Sequence, residues 1–288
     1  MSKARHQGPA FLAAAALALS ALAATLTGTA QAATVTTTPG VASAAISPAA
    51  EAATLAYWTP ARMASATSLG SDVPAVSAHS FGGLRSVGAL FFTTGSKAHF
   101  CTASIIVSHP RNVLLTAAHC VYHGGFVKNL AFVPDYHAGK RPYGTYAVQI
   151  AYVTQAWMQH SDISQDFAFL GVNGAVQSKV GAGLRLGINQ PTSQQLVVAG
   201  YNNGASNPIW CQTRSFQPRG LSSQEEFQCD GFWLGTSGSP WIEGTSLNAD
   251  GTVFGDIGGY QQGGNSPDFS FSSKFTVSTE ILYNIATT

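Results

Sequence analysis

Charge is scarce in this chain: Asp, Glu, Lys and Arg make up 9% of its 288 residues, with 14 basic side chains against 13 acidic. An average soluble domain carries about a quarter. A formal net charge of +1 gives no electrostatic footprint for a phosphate backbone, so nucleic acid is not an expected partner. After an N-terminal run, no apolar stretch is long enough to cross a bilayer. Helical periodicity is nearly absent, no internal repeat stands out, and no histidine follows His160. What is abundant is apolar residues, at 45%, and glycine, with 30 copies. The chain is too apolar to be disordered and long enough to bury a sizeable core.

The first residues pair Lys3, Arg5 and His6 with an apolar run over 11–26, and Ala30-Gln31-Ala32 supplies small residues where a signal peptidase reads them. Residues 1–32 are expected to be a signal peptide; an uncleaved anchor is the alternative, with a run near the lower length limit for a span. Over 33–85 the composition shifts to Ala, Thr, Ser and Pro, with few aromatics beyond Tyr57, Trp58 and Phe81. Such a stretch is expected to bury too little apolar area to offset its ordering entropy, and reads as a pro-segment or flexible N-terminal arm. Strand-like composition begins just after Arg85, which makes processing near Arg85 one hypothesis and retention of the arm the other. Residues 86–288 then form the folded domain, with ten basic against eleven acidic side chains, net about −1.

In that domain, short runs rich in Val, Ile, Phe, Tyr and Thr alternate with Gly, Pro and Asn clusters. Strands are predicted at 87–93, 103–107, 113–116, 146–153, 167–172, 196–201 and 253–257. Many short strands without intervening helices indicate antiparallel sandwiches or barrels rather than a parallel sheet. A short C-terminal helix is expected, capped by Ser278 and burying Ile281, Leu282 and Ile285.

All four cysteines, Cys101, Cys120, Cys211 and Cys229, lie in this domain. An even count in an exported protein implies two disulfides, with three connectivities open. Nearest-neighbour pairing closes loops of under about 20 residues, each worth about 3 kcal/mol on the chain-entropy model. No pair has the C-x-x-C type spacing of a zinc site, so no metal and no cofactor is expected.

Gly235-Thr236-Ser237-Gly238-Ser239-Pro240 is the most informative hexapeptide. Glycines flanking a serine permit a tight backbone that exposes the hydroxyl and lets N–H groups converge on a developing oxyanion. Serine alone is a poor nucleophile and needs a base within reach. Thr116-Ala117-Ala118-His119-Cys120 supplies one, a histidine at the end of a strand-like run and beside a cysteine that can pin it. The third member should be a buried carboxylate that orients the imidazole. Asp166, ahead of the apolar Phe167-Ala168-Phe169-Leu170, is favoured over Asp162 and Asp135, whose surroundings are more polar.

These motifs, in the order His119, Asp166, Ser237, resemble the chymotrypsin/trypsin-like serine peptidases, over 86–288. The resemblance implies an all-β fold of two antiparallel β-barrels with the active site in the cleft between them. It implies acyl transfer in which His119 takes the proton of Ser237, Asp166 holds His119, and the N–H groups of Gly235 and Ser237 form the oxyanion hole. The Cys101–Cys120 pairing is similar to the disulfide that flanks the histidine in that family. α/β-hydrolases are excluded, because they place the histidine after the serine and use Gly-x-Ser-x-Gly, whereas Ser239 occupies the last position here.

Two departures matter. Before the serine, trypsin-type animal enzymes carry an aspartate that pairs with a freed N-terminus; here the residue is Thr236, which resembles the bacterial glutamyl-endopeptidase-like branch. At the position of the pocket carboxylate stands Gly231, with Asp230 adjacent, and Ile257 stands where glutamate-selective relatives use a histidine. With Gly258 and Tyr260 completing the expected specificity pocket, and Phe232 and Trp233 nearby, a neutral or apolar substrate side chain is expected. The whole-chain expectation is a secreted, extracellular monomer acting on protein or peptide substrates, free of membrane after signal cleavage. The alternatives are an inactive double-barrel homologue used for binding or adhesion, and a zinc hydrolase using His119 and His123. Export with cleavage predicts that N-terminal sequencing of the secreted protein starts beyond Ala32; a chain beginning at Met1 would contradict it.

Overall fold

The computed structural model describes residues 34–38, 40–66, 77–202 and 207–288, so the expected signal peptide at 1–32 lies outside the described residues. The N-terminal part holds β1 (Thr34–Thr38), β2 (Val41–Ala45), α1 (Pro48–Tyr57), α2 (Pro60–Ala64) and the two-residue β3 (His79–Ser80). Then come β4 (Val87–Thr94), β5 (Lys97–Ile106), β6 (Val113–Thr116), β7 (Lys128–Pro134), β8 (Tyr146–Thr154), α3 (Gln155–His160), β9 (Ala168–Val172) and α4 (Val176–Val180). The last third holds β10 (Arg185–Leu186), β11 (Gln195–Tyr201), β12 (Pro208–Arg214), β13 (Gln224–Gln228), β14 (Pro240–Glu243), β15 (Thr252–Asp256), β16 (Phe269–Ser273) and α5 (Val277–Ala286).

The order β8-β7-β4-β5-β6-β9 closes on itself through β8–β9 pairing into a six-stranded antiparallel barrel. Its strands are apolar on both faces because both are covered. Leu90 and Phe92 of β4 meet Cys101, Ala103 and Ile105 of β5 in one cluster, while Ala89 and Phe91 pack into another. In the second half, the sheet β10-β15-β14-β11-β12-β3 and the pair β13–β16 enclose Phe227, Phe232, Trp241, Phe254 and Ile257. Phe227 anchors that core with ring centroids 5.0 Å from Trp241 and 5.5 Å from Phe232. The all-β, two-barrel expectation with a short C-terminal helix holds. Both disulfides follow nearest-neighbour pairing, Cys101–Cys120 and Cys211–Cys229.

The N-terminal segment departs from its composition. Rather than an unpacked arm, β2 adds to the edge of β8, from Val41 opposite Thr154 to Ala45 opposite Ile150. A backbone ladder needs no large side chains, so an Ala/Thr/Ser sequence can dock where an edge is on offer. Two large residues supply the apolar anchor. Trp58 is 1% exposed, packs against Phe91 with the rings tilted at 45°, and donates its Nε1–H to the Asn129 carbonyl at 2.7 Å; Met63 is fully buried. β3 pairs with β12 in the other half, and Ser86 and Val87 are buried, so a cut after Arg85 would sever the covalent link between this paired strand and β4.

The C-terminal helix is also corrected in detail. Thr276, not Ser278, is its N-cap, in a capping box with Thr279. Leu282 is buried and Ile281 points to solvent.

Replacing Trp58 by alanine is expected to lower unfolding free energy by about 3 kcal/mol, the usual loss for a large buried aromatic. Urea denaturation of the chain checks this, and an unchanged midpoint would mean that the segment is not docked.

Candidate active site

β6 delivers its last residue, Thr116, into a buried corner, and the chain turns through a 3-10 turn at Ala118–Cys120. Ala117, Ala118 and Cys120 are fully buried and the Cys101–Cys120 disulfide ties the turn to β5, so His119 between them has little freedom. Its ring is buried and lies 6.5 Å, centroid to centroid, from that of Trp157 in α3.

Asp166 sits between a 3-10 turn at Ile163–Gln165 and the start of β9, with no exposed surface. Three N–H groups meet its carboxylate: the His119 backbone at 2.9 Å on Oδ1, and His119 Nδ1 and the Gly259 backbone, each at 2.8 Å, on Oδ2. A carboxylate can only accept here, so the Nδ1 nitrogen of His119 carries the proton and Nε2 is left as the basic nitrogen. The glycine pair that follows β15 makes the contact possible. A Cβ on Gly258 would lie 2.7 Å from the Asp166 carbonyl oxygen, and one on Gly259, at φ +79°, would lie 2.1 Å from Gln224 Oε1. The competing acids stand elsewhere. Asp162 caps the 163–165 turn through the Ser164 N–H at 2.9 Å, and Asp135 lies against Gly83.

Ser237 lies in a loop bent by two positive-φ glycines, Gly235 at +94° and Gly238 at +81°. A Cβ on Gly238 would fall 2.2 Å from the Thr102 carbonyl oxygen, so only glycine lets the loop lie this close to β5. The loop's peptide groups are pinned: Thr236 N–H donates to Trp233 O at 3.0 Å, Gly238 N–H to Ile257 O at 2.8 Å, and Ser237 O accepts from Thr102 N–H at 2.8 Å. Among the described residues, the N–H groups of Gly235 and Ser237 have no backbone or side-chain acceptor. Two unengaged donors two residues apart can converge on one oxygen. His119 and Ser237 line the same cavity, of about 90 Å³, together with Cys101, Gly235 and Gln262.

A larger cavity of about 360 Å³ adjoins it, walled by Phe232, Trp233, Leu234 and Ile257, with Thr236, Ser237, Gln262 and Asn265 as its polar side chains. Of the expected pocket residues, Ile257 lines this cavity and the other three lie off it. Gly231 is bound within its loop, its N–H to Pro267 O at 3.0 Å and its carbonyl to Asn202 Nδ2 at 2.7 Å. Gly258 is spent on the approach to Asp166, and the Tyr260 ring packs edge-on against Phe271 at 5.2 Å. Local spacing to a motif does not say which face of a loop looks inward.

Two residues escape a motif search. Thr102 touches the serine loop from the first barrel. Asp256, in the apolar run Val253-Phe254-Gly255, is fully buried with neither carboxylate oxygen partnered among the described residues. Burial, reinforced by the nearby Asp166 charge, pushes its carboxyl well above the usual range. A lone acid in an apolar strand was the available signal. The zinc alternative finds no support in the geometry: His119 sits in a 3-10 turn rather than a helix, its Nδ1 is committed to Asp166, and the two sulfurs beside it are bonded to each other.

Comparison with curated proteins finds no match. Solved structures do resemble the chain. The protease Anisep from Arthrobacter nicotinovorans superposes with a TM-score of 0.66 at 23% identity, covering 74% of this chain and 99% of its own. A thermostable serine protease, AL20, from an extremophilic microorganism gives 0.64 at 27% identity, covering 70% and 97%. A Glu endopeptidase gives 0.58 at 17% identity, covering 77% and 99%. Residues 76–272 match the family model described as Trypsin, and with that span, well over half its length, the chain belongs to the trypsin family.

Proposed function

We propose that the protein is a secreted serine endopeptidase that cleaves peptide bonds through Ser237, His119 and Asp166 by way of an acyl-enzyme. The observation that carries this reading is the buried 2.8 Å bond from His119 Nδ1 to Asp166, on an imidazole that shares a cavity with Ser237. His119 Nε2 takes the Ser237 hydroxyl proton as Oγ bonds to the substrate carbonyl carbon. Asp166 holds the imidazolium that forms, and the N–H groups of Gly235 and Ser237 receive the oxyanion. The proton passes to the leaving amine as the C–N bond breaks. Water, activated by the same imidazole, then releases the acyl group and restores Ser237.

Secretion fits the leader and the two disulfides, which form in oxidising compartments. Among the described residues no helix is long and apolar enough to cross a membrane. The substrate side chain before the cleaved bond would enter the 360 Å³ cavity, which no described charged residue lines. Burying an unpaired charge there is unfavourable, so the glutamate preference implied by the name of one structural relative is not carried over. Neutral residues of the size of leucine, methionine, glutamine or phenylalanine fit best.

A fluorophosphonate should label wild type on Ser237 and fail to label Ser237→Ala, and Asp166→Asn should lower kcat on the order of 10⁴-fold. Mass spectrometry and steady-state kinetics read both. A wild type that neither labels nor cleaves would turn the cleft into a binding site. A peptide-library profile should favour neutral over Arg, Lys or Glu residues by at least about tenfold; dominance of any of the three would overturn the pocket assignment.

A further inference from the structure

The serine loop belongs to the second barrel, yet much of what holds it comes from one residue of the first. Thr102 is fully buried in β5, directly after Cys101. Its hydroxyl donates to the Gly235 carbonyl at 3.2 Å and accepts from the Tyr201 N–H at 3.0 Å. Its backbone N–H donates to the Ser237 carbonyl at 2.8 Å, and its own carbonyl accepts from the Thr116 hydroxyl at 2.7 Å. Every polar group of Thr102 is therefore engaged, and two of its bonds end on the carbonyls of the two residues whose N–H groups stay unengaged.

The geometry follows from the planarity of the peptide group. The peptide joining Gly235 to Thr236 is held at both ends, its carbonyl by Thr102 Oγ1 and its N–H by the Trp233 carbonyl. The peptide joining Ser237 to Gly238 is likewise held, its carbonyl by Thr102 N–H and its N–H by the Ile257 carbonyl. The Ser237 N–H belongs to the peptide between those two planes and the Gly235 N–H to the peptide just before the first, so fixing the neighbouring planes limits how far both N–H groups can turn. Thr236 carries no charge, so the loop is held by hydrogen bonds rather than by an ion pair of its own. The same β5 segment reaches His119 through the Cys101–Cys120 disulfide, so it fixes the base and the oxyanion donors on one rigid element.

We propose that the Thr102 hydroxyl is a positioning group for the oxyanion-binding N–H groups of Gly235 and Ser237. This deepens the peptidase reading and rests on it. Valine at 102 keeps the shape but leaves the Gly235 carbonyl and the Tyr201 N–H buried without partners. The loop would relax, and small displacements of oxyanion donors are expensive in rate. Serine keeps the hydroxyl and loses only a methyl group.

The test compares Thr102→Val, Thr102→Ala and Thr102→Ser in the full chain. Four readouts are taken: kcat and KM on a neutral-residue peptide anilide, affinity for a leucyl peptide trifluoromethyl ketone, fluorophosphonate labelling, and thermal unfolding by circular dichroism. Thr102→Val and Thr102→Ala should lower kcat on the order of 10- to 100-fold with KM nearly unchanged. They should weaken the ketone, which forms a tetrahedral adduct, by the same factor, while Thr102→Ser stays near wild type. Several results overturn the proposal: unchanged kcat in Thr102→Val, a loss expressed only in KM, Thr102→Ser as impaired as Thr102→Val, or failure of both Thr102→Val and Thr102→Ala to fold, which would make the hydroxyl a stability element. If only one of the two hydroxyl-free variants folds, it is compared with Thr102→Ser. A wild type that does not label removes the peptidase reading and this one together; a wild type that labels beside an unimpaired Thr102→Val removes this one alone.

Discussion

The buried carboxylate of Asp166 is where the two halves of the molecule are tied together. Its oxygens accept from the backbone and ring of His119 on the first barrel and from the backbone of Gly259, beyond β15, on the second. A carboxylate removed from water must have its acceptors satisfied. The site geometry therefore follows from a folding requirement: the barrels have to approach until the Gly259 N–H joins the two from His119 on one side chain. Glycine at 258 and 259 makes room for that approach. A Cβ at 258 would meet Asp166 itself, and one at 259, at φ +79°, would meet Gln224 and Ser273 beneath it, so either would disturb the turn that carries the Gly259 N–H to Asp166.

A second constraint works along β5. This strand lies within the first barrel, bears the cysteine that clamps the His119 turn, and places Thr102 against the serine loop. The proposed base, His119, and the proposed nucleophile, Ser237, sit on different barrels, and their relative placement is as good as the elements that span the gap. Asp166 spans it on one side and Thr102 on the other. The N-terminal segment adds a wider brace, with β2 on the edge of β8 and β3 on the edge of β12. Because β8 runs directly into α3, which carries Trp157 beside His119, the β2 addition supports the same corner.

What could be read in advance depended on how local the signal was. His119, Asp166 and Ser237 stand in short peptides whose residue types serve the chemistry, and the neighbouring cysteines paired with their nearest partners. Strands with continuous apolar runs, such as β6 and β9, were legible because both faces are buried. Strands such as β13, with Glu225 and Glu226 side by side, carry no such pattern; their pairing is decided by β16 opposite. The pairing of β2 with β8 is not legible in the sequence because edge pairing works through the backbone, and Ala-rich composition is silent about it. Gly231, Gly258 and Tyr260 stand off the 360 Å³ cavity proposed to take the substrate side chain, since loop direction, set by distant partners such as Pro267 and Asp166, is not legible in sequence spacing. Thr102 could not be singled out, since its importance lies in bonds to residues some 100 and 133 positions away.

The central claim is that Ser237 is a nucleophile served by His119 and by two loop N–H groups. A crystal structure of the chain inactivated by a peptide phosphonate tests it most directly. The account predicts a covalent bond from Ser237 Oγ to phosphorus, with one phosphonyl oxygen about 3 Å from both Gly235 N and Ser237 N and His119 Nδ1 still on Asp166. Phosphorus bonded elsewhere, or its oxygen turned away from those two N–H groups, would contradict it.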